Sequence, residues 1–176
     1  MMSQSKYLYG SYSQINSKLI NKLKKLTDKS KSKKYRYCLH QNERDKTQEM
    51  IICTKGFVYT RPHKHPGSKS ESYHIIQGNM DIYLFNNKGI IIKKINLSCE
   101  KYKKIDSSFM YRVSKPIYHM MVPNSKWVIW HEVTTGPFVK NSKKFLISAP
   151  FSPNYDSSKE EIKIFFKKHL NRKLVL

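Results

Sequence analysis

A chain of 176 residues, 39% hydrophobic and 26% charged, is long enough for one domain with its own core, is short for two, and is too apolar to be disordered throughout. Its net charge of +22 is almost entirely lysine, with arginine only at Arg36, Arg44, Arg61, Arg112 and Arg172. Nucleic-acid readers rely on arginine forks and interleaved aromatics, so no dedicated nucleic-acid binding is expected and the lysines read as solvated faces. Along the chain, residues 12–29 predict a helix: Ile15, Leu19, Leu23 and Leu26 recur at three- and four-residue steps with Ile20 beside them. Such a helix packs on the main fold or on a partner subunit. The Lys/Ser-rich stretch Lys29 to Lys34 reads as an exposed linker.

From Tyr35 to Pro150 the pattern becomes one of short strands, rich in Ile, Tyr and Phe. Strands are expected at Glu49–Thr54, Phe57–Arg61, Ser72–Gln77, Met80–Phe85, Ile90–Ile95, Met110–Val113, His119–Val122 and Lys126–Val133. Turn formers separate them, among them Gly78-Asn79, Asn86-Asn87-Lys88-Gly89 and Pro123-Asn124-Ser125. Strands at this spacing, with no helices between them, predict a closed barrel or a two-sheet roll. Beyond the Pro-rich Ala149–Pro153 segment, Ser157 and Glu160 have capping-box spacing and open a helix through Ile162, Phe165 and Phe166. The expected layout is therefore a helix and linker over 1–34, a barrel over 35–150 and a helical tail over 151–176. No apolar run reaches the roughly 18 residues of a membrane span. The polar start, Met1 to Gly10, lacks the apolar stretch and small-residue cleavage site expected of a secretory signal, and Cys38, Cys53 and Cys99 are odd in number and widely spaced. Reduced thiols and a cytoplasmic location are expected.

The chemistry concentrates between Gly56 and Gly78. His63 and His65 stand two apart, so on an extended strand they share a face with Tyr59 and Arg61. Pro66-Gly67 turns the chain, and Glu71 then shares its face with Tyr73, Ile75 and Gln77. Two imidazoles and a neighbouring carboxylate supply three ligands for a divalent metal, and His119 is the natural fourth. Each has an ordinary alternative: a surface pair for the two histidines, a solvated loop acid for Glu71, a half-buried histidine for His119. Arg61 either meets a substrate phosphate or carboxylate, or forms a salt bridge. Tyr59 and Tyr73 either line a cavity or fill the barrel. Glu132 shares a face with Trp130 and Val128, where an acid is costly unless it is paired or serves as a proton carrier. His131 points the other way, and His40, His74 and His169 read as structural or surface residues.

The run from Gly56 through His63, His65 and Glu71 to Gly78 resembles the first cupin motif, and the His119 region resembles the second. The wider pattern is similar to the WbuC-type cupin metalloproteins found with bacterial polysaccharide-biosynthesis genes. It takes in Arg36, Leu39-His40, Arg61-Pro62-His63, Phe85 to Gly89, Glu132, and Thr135 to Phe138. Five residues separate His65 from Glu71 where three or four are usual, and Pro116 stands where the second motif has glycine. The resemblance implies an all-β, cupin-type β-barrel (a double-stranded β-helix or jelly roll) with an N-terminal helix and a short C-terminal one. It implies a divalent Fe, Mn, Ni or Zn ion on His63, His65, Glu71 and His119, and a homodimer. It also implies a metal-dependent enzyme acting on a small polar substrate such as an activated or nucleotide-linked sugar. Glu132 is then the proton-transfer residue of an isomerase or epimerase, with Arg61, Tyr59 and Tyr73 as substrate contacts. The alternatives are a non-catalytic sugar- or partner-binding barrel and an Fe(II)-dependent oxygenase.

Overall fold

The computed structural model describes residues 4–140, 142–146, 149 and 159–170. Two sheets face each other. The six-stranded one has the order β1 (Ser5–Tyr7), β2 (Lys34–Cys38), β3 (Thr47–Lys55), β10 (Trp127–Thr135), β5 (Glu71–Gln77) and β8 (Met110–Val113). The five-stranded one has the order β11 (Lys144–Phe145), β4 (His63–Lys64), β9 (Tyr118–Pro123), β6 (Asn79–Phe85) and β7 (Ile91–Ser98). All pairings are antiparallel except that of β1 with β2. The strand pattern predicts a barrel or two-sheet roll, and the observed architecture is the cupin-type β-sandwich that the resemblance implies, with a helix near each end of the chain.

Side-chain alternation explains why the sheets are covered on both faces. Met50, Ile52, Ile75, Met80, Ile82, Met121, Val128 and Trp130 point between the sheets and form the inner core. Ile51, Cys53 and Ile129, one residue out of step, point away from the barrel. There they meet Leu19, Ile20, Leu23 and Leu26 of helix α1 (Ser17–Lys29). On the opposite side Tyr83, Phe85, Met120 and Val122 meet Ile162, Phe165 and Phe166 of helix α2 (Lys159–Leu170). Helix α1 starts five residues later than its periodicity suggests, because the Asn16 side chain accepts the Leu19 N–H at 3.1 Å and caps it there. Ser157, the expected cap of α2, lies outside the described residues, as does most of the Pro-rich segment before it.

Two local expectations differ from the structure. Phe57–Arg61 is not a strand, and the sheet resumes only at His63–Lys64. The segment crosses from β3 in one sheet to β4 in the other, so no neighbouring strand lies alongside it. Lys34–Cys38, which begins at the last residue of the predicted linker, is a strand hydrogen-bonded to β3, and Ser5–Tyr7 extends the same sheet. Gly78 is a positional requirement: it holds φ +82 between β5 and β6, and a Cβ there would stand 2.2 Å from the Trp127 carbonyl oxygen. Cys38, Cys53 and Cys99 are free thiols. Among the described residues no helix is long and apolar enough to cross a membrane.

Candidate metal centre

Strand β4 pairs with β9 so that His63 stands directly opposite His119. His65 follows β4, and the start of β5 brings Glu71 against the same cluster. One ring nitrogen from each of His63, His65 and His119 lies within 4.8 Å of the others, and His63, His119 and Glu71 are all buried. The Glu71 carboxylate completes the group, with Oε1 3.3 Å from His65 Nε2 and Oε2 2.9 Å from His119 Nε2. Thus all four predicted ligand residues converge. The unusually long His65–Glu71 spacing is absorbed by the Pro66-Gly67 turn and does not carry the acid away.

Backbone carbonyls set the tautomers. His63 Nδ1 lies 2.9 Å from the Arg61 carbonyl and His119 Nδ1 lies 3.0 Å from that of Ile117. In each ring Nδ1–H donates, so the Nε2 lone pair faces the cluster. For His119 that lone pair meets a carboxylate oxygen at 2.9 Å, a repulsive contact unless a proton or a metal ion lies between them. The buried Nε2 atoms of His65 and His119 make no well-formed hydrogen bond, despite their closeness to Glu71. Orphaned nitrogens around a fixed carboxylate are what a divalent ion satisfies. The residues present therefore fit the group that the motifs imply.

Charge reinforces this arrangement. Burial lowers the pKa of His63 well below its usual value, and the nearby Lys143 ammonium lowers it further, keeping the ring neutral as a ligand must be. Burial on its own raises the pKa of Glu71, but the adjacent imidazoles of His119 and His65, with the Lys143 ammonium beyond them, hold it well below the carboxylate range. Tyr73, fully inside the barrel, donates its hydroxyl to Glu71 Oε2 at 2.9 Å. Glu132 shares the inner face, accepts from Trp130 Nε1 at 3.1 Å and stands across from Tyr73. Burial and the negative charge of Glu71 raise its pKa.

The cluster is reached from two adjoining cavities. One, of about 140 Å³, is lined by His65, Glu71, Glu132, Arg36, Lys69 and Lys143 among others. The second, of about 300 Å³, touches His63, Arg61, Tyr59 and Lys34, and again Arg36 and Lys143. Arg61 is turned so that Nη2 donates to the Leu146 carbonyl at 3.2 Å and the guanidinium stacks on Phe145 at 5.2 Å. Tyr59 packs in the outer cluster, its ring 6.2 Å from Phe166. His131 is half-buried and bonded to Glu49 Oε1 at 2.7 Å. His40 is buried, lines the smaller cavity and accepts the Glu49 N–H at 3.0 Å.

Sequence reasoning gave no site role to three cations that stand here, although Arg36 belongs to the stretch that carries the resemblance. Lys143 Nζ lies 3.1 Å from His63 Nε2, and Lys34 Nζ stands 5.7 Å over the Trp130 ring. Arg36 lines both cavities. The alternation of Lys34 and Arg36 was a readable signal once β2 is recognised as a strand. Lys143 comes from an irregular segment and carried none.

A family model described as "Domain of unknown function (DUF6016)" matches residues 15–97. Among curated proteins none matches. Solved structures do. A protein from Shewanella oneidensis superposes with a TM-score of 0.56 at 10% identity, covering 71% of this chain and 82% of that one. CapF, solved with the inhibitor 3-isopropenyl-tropolone, gives 0.50 at 16% identity over 63% of this chain and 31% of CapF, so the match spans under a third of that protein. A cupin superfamily protein from Desulfitobacterium hafniense gives 0.46 at 16% identity, covering 64% and 86%. With its two facing sheets, its terminal helices and a three-histidine cluster between strands β4 and β9, this chain has the cupin fold.

Proposed function

We propose that this protein is a metal-dependent cupin enzyme in which His63, His65, His119 and Glu71 hold one divalent ion. The observation that carries this reading is the contact between the His119 Nε2 lone pair and Glu71 Oε2 at 2.9 Å inside a buried cluster. When bound, the metal supplies a Lewis acid that polarises a substrate oxygen. The chain's own contribution is Glu132. Its carboxyl opens onto the same cavity as His65 and Glu71, and burial and the charge of Glu71 raise its pKa towards the range where a carboxylate accepts and returns protons efficiently. Proton transfer at a carbon next to a carbonyl, as in isomerisation or epimerisation, suits that placement. The resemblance to WbuC-type cupins points to an activated or nucleotide-linked sugar as the substrate.

A second reading is a non-catalytic barrel whose metal is structural. Four protein ligands are enough to close a tetrahedral site, and this favours it. The two cavities that reach the ligands favour the enzyme.

Elemental analysis of purified wild type, His63→Ala and His119→Ala separates these readings from a metal-free protein. Near-stoichiometric metal in wild type and none in the variants is expected. If wild type holds no metal even after it is supplied, the metal reading fails. Glu132→Gln is expected to keep the metal and to lose about 10²–10⁴-fold in turnover. Unchanged turnover in that variant rejects the proton-transfer role.

A further inference from the structure

The larger of the two cavities has a composition that the metal site does not explain. Four cationic side chains line it, Lys34, Arg36, Arg61 and Lys143, with Gln4, Ser32 and Thr60 as neutral polar neighbours. Among the described residues none of its lining is a carboxylate. The only metal ligand it touches is His63. Like charges gathered around one small volume repel each other, and the repulsion is relieved by an anion that sits among them.

These cations are held in place by the fold. Lys34 and Arg36 alternate on β2 and so project from the same face of that strand. The Lys34 ammonium stands over the Trp130 indole, and although part of the residue is exposed, burial of the charged end lowers its pKa to about 8, opposed by the Glu132 carboxylate and deepened by Arg36 and Lys143. Arg61 is braced by the Leu146 carbonyl and the Phe145 ring. Lys143 joins this cavity to the cluster through His63.

We propose that this cavity binds the phosphoryl group of the substrate, a phosphate or diphosphate ester, and orients the rest of the molecule towards the metal ligands. Four cations match a group carrying two or more negative charges better than they match a single carboxylate, and about 300 Å³ accommodates it. This inference deepens the reading of the site as one for an activated sugar and rests on it.

The probe is inorganic pyrophosphate, titrated calorimetrically at physiological ionic strength into protein with its metal stripped by a chelator. Wild type and the Lys18→Met/Lys88→Met control, which removes two exposed lysines elsewhere, are expected to bind alike. Lys34→Met/Arg36→Met is expected to lose about tenfold or more, the scale of one or two charge-assisted hydrogen bonds. Lys143→Met alone, tested beside it, is expected to lose affinity in the same direction and covers the case in which the double variant fails to fold. Malonate is expected to bind more weakly than pyrophosphate. Equal binding by wild type and by whichever of these variants fold would show that the overall charge, and not the pocket, attracts the anion, and would overturn the proposal. Malonate binding as tightly as pyrophosphate would overturn the phosphoryl assignment. Binding that appears only after metal is restored would make the ion the anchor and overturn it as well. A protein that takes up no metal yet shows the expected variant pattern would leave this pocket standing while the metal reading fell.

Discussion

Glu71 shows how much one side chain is asked to do in this barrel. It is buried, close to two imidazoles and bonded to the Tyr73 hydroxyl. An ionised carboxylate in that position is stable only because its neighbours compensate for lost water. Its pKa in the folded chain lies below its usual 4.5, and that of His63 lies below its usual 6.5. In both cases the unfolded chain binds the proton more readily, so both groups contribute stability that is complete above 6.5. That stability is lost as pH falls, first as the unfolded histidine takes up its proton and then, below 4.5, as the unfolded carboxylate does. Denaturant midpoints of metal-free protein between pH 8 and pH 4 should therefore fall in two stages below 6.5, and above neutrality they should still rise with pH as folded Lys34, lowered to about 8, gives up its proton. Midpoints that do not change across that range would contradict the assigned shifts.

At the level of elements, helix α2 is the sharpest test of the packing. Phe166 is fully buried, with its ring 5.3 Å from Phe57 and 6.2 Å from Tyr59, whereas Ile164 on the same helix is 58% exposed. Phe166→Ala should cost about 3–5 kcal/mol, because it removes a large apolar side chain and leaves a cavity. Ile164→Ala should stay within about 0.5 kcal/mol, as surface changes do. Urea unfolding of the two variants measures this, and similar losses for both would mean that the helix does not present this face to the five-stranded sheet. The consequence reaches the site, since Phe57 and Tyr59 belong to the same segment that carries Arg61 and His63 into the barrel.

For the whole molecule the dominant property is the +22 net charge. The described ion pairs are few, and several are exposed lysine contacts such as Lys103–Glu100 and Lys163–Glu160, which contribute little. Self-repulsion then acts against the compact state and is screened by salt. Raising sodium chloride from low ionic strength to well above physiological levels should raise the melting temperature by a few degrees. A melting temperature that is flat or falls with salt would show that the lysines are neutralised by contacts within the fold. The same salt series bears on the anion pocket, because screening weakens diffuse attraction more than it weakens binding to a built site.

The sequence by itself determined what alternation and spacing can encode. His63-x-His65 shares a face because a strand repeats every two residues, and Ile15, Leu19, Leu23 and Leu26 form a stripe because a helix repeats near every three and a half. The strand-rich middle, the turn at Gly78 and the resemblance to cupin motifs were readable for the same reason. Tertiary structure alone decided what depends on residues far apart in the chain. It set His119 opposite His63 through the β4–β9 pairing and brought Lys143 to His63 across 80 positions. It also left Phe57–Arg61 without a partner strand between two sheets, although its residues favour one. Local propensity is a property of neighbours along the chain, whereas a hydrogen-bonded ladder and a charged cavity need partners that only the completed fold supplies.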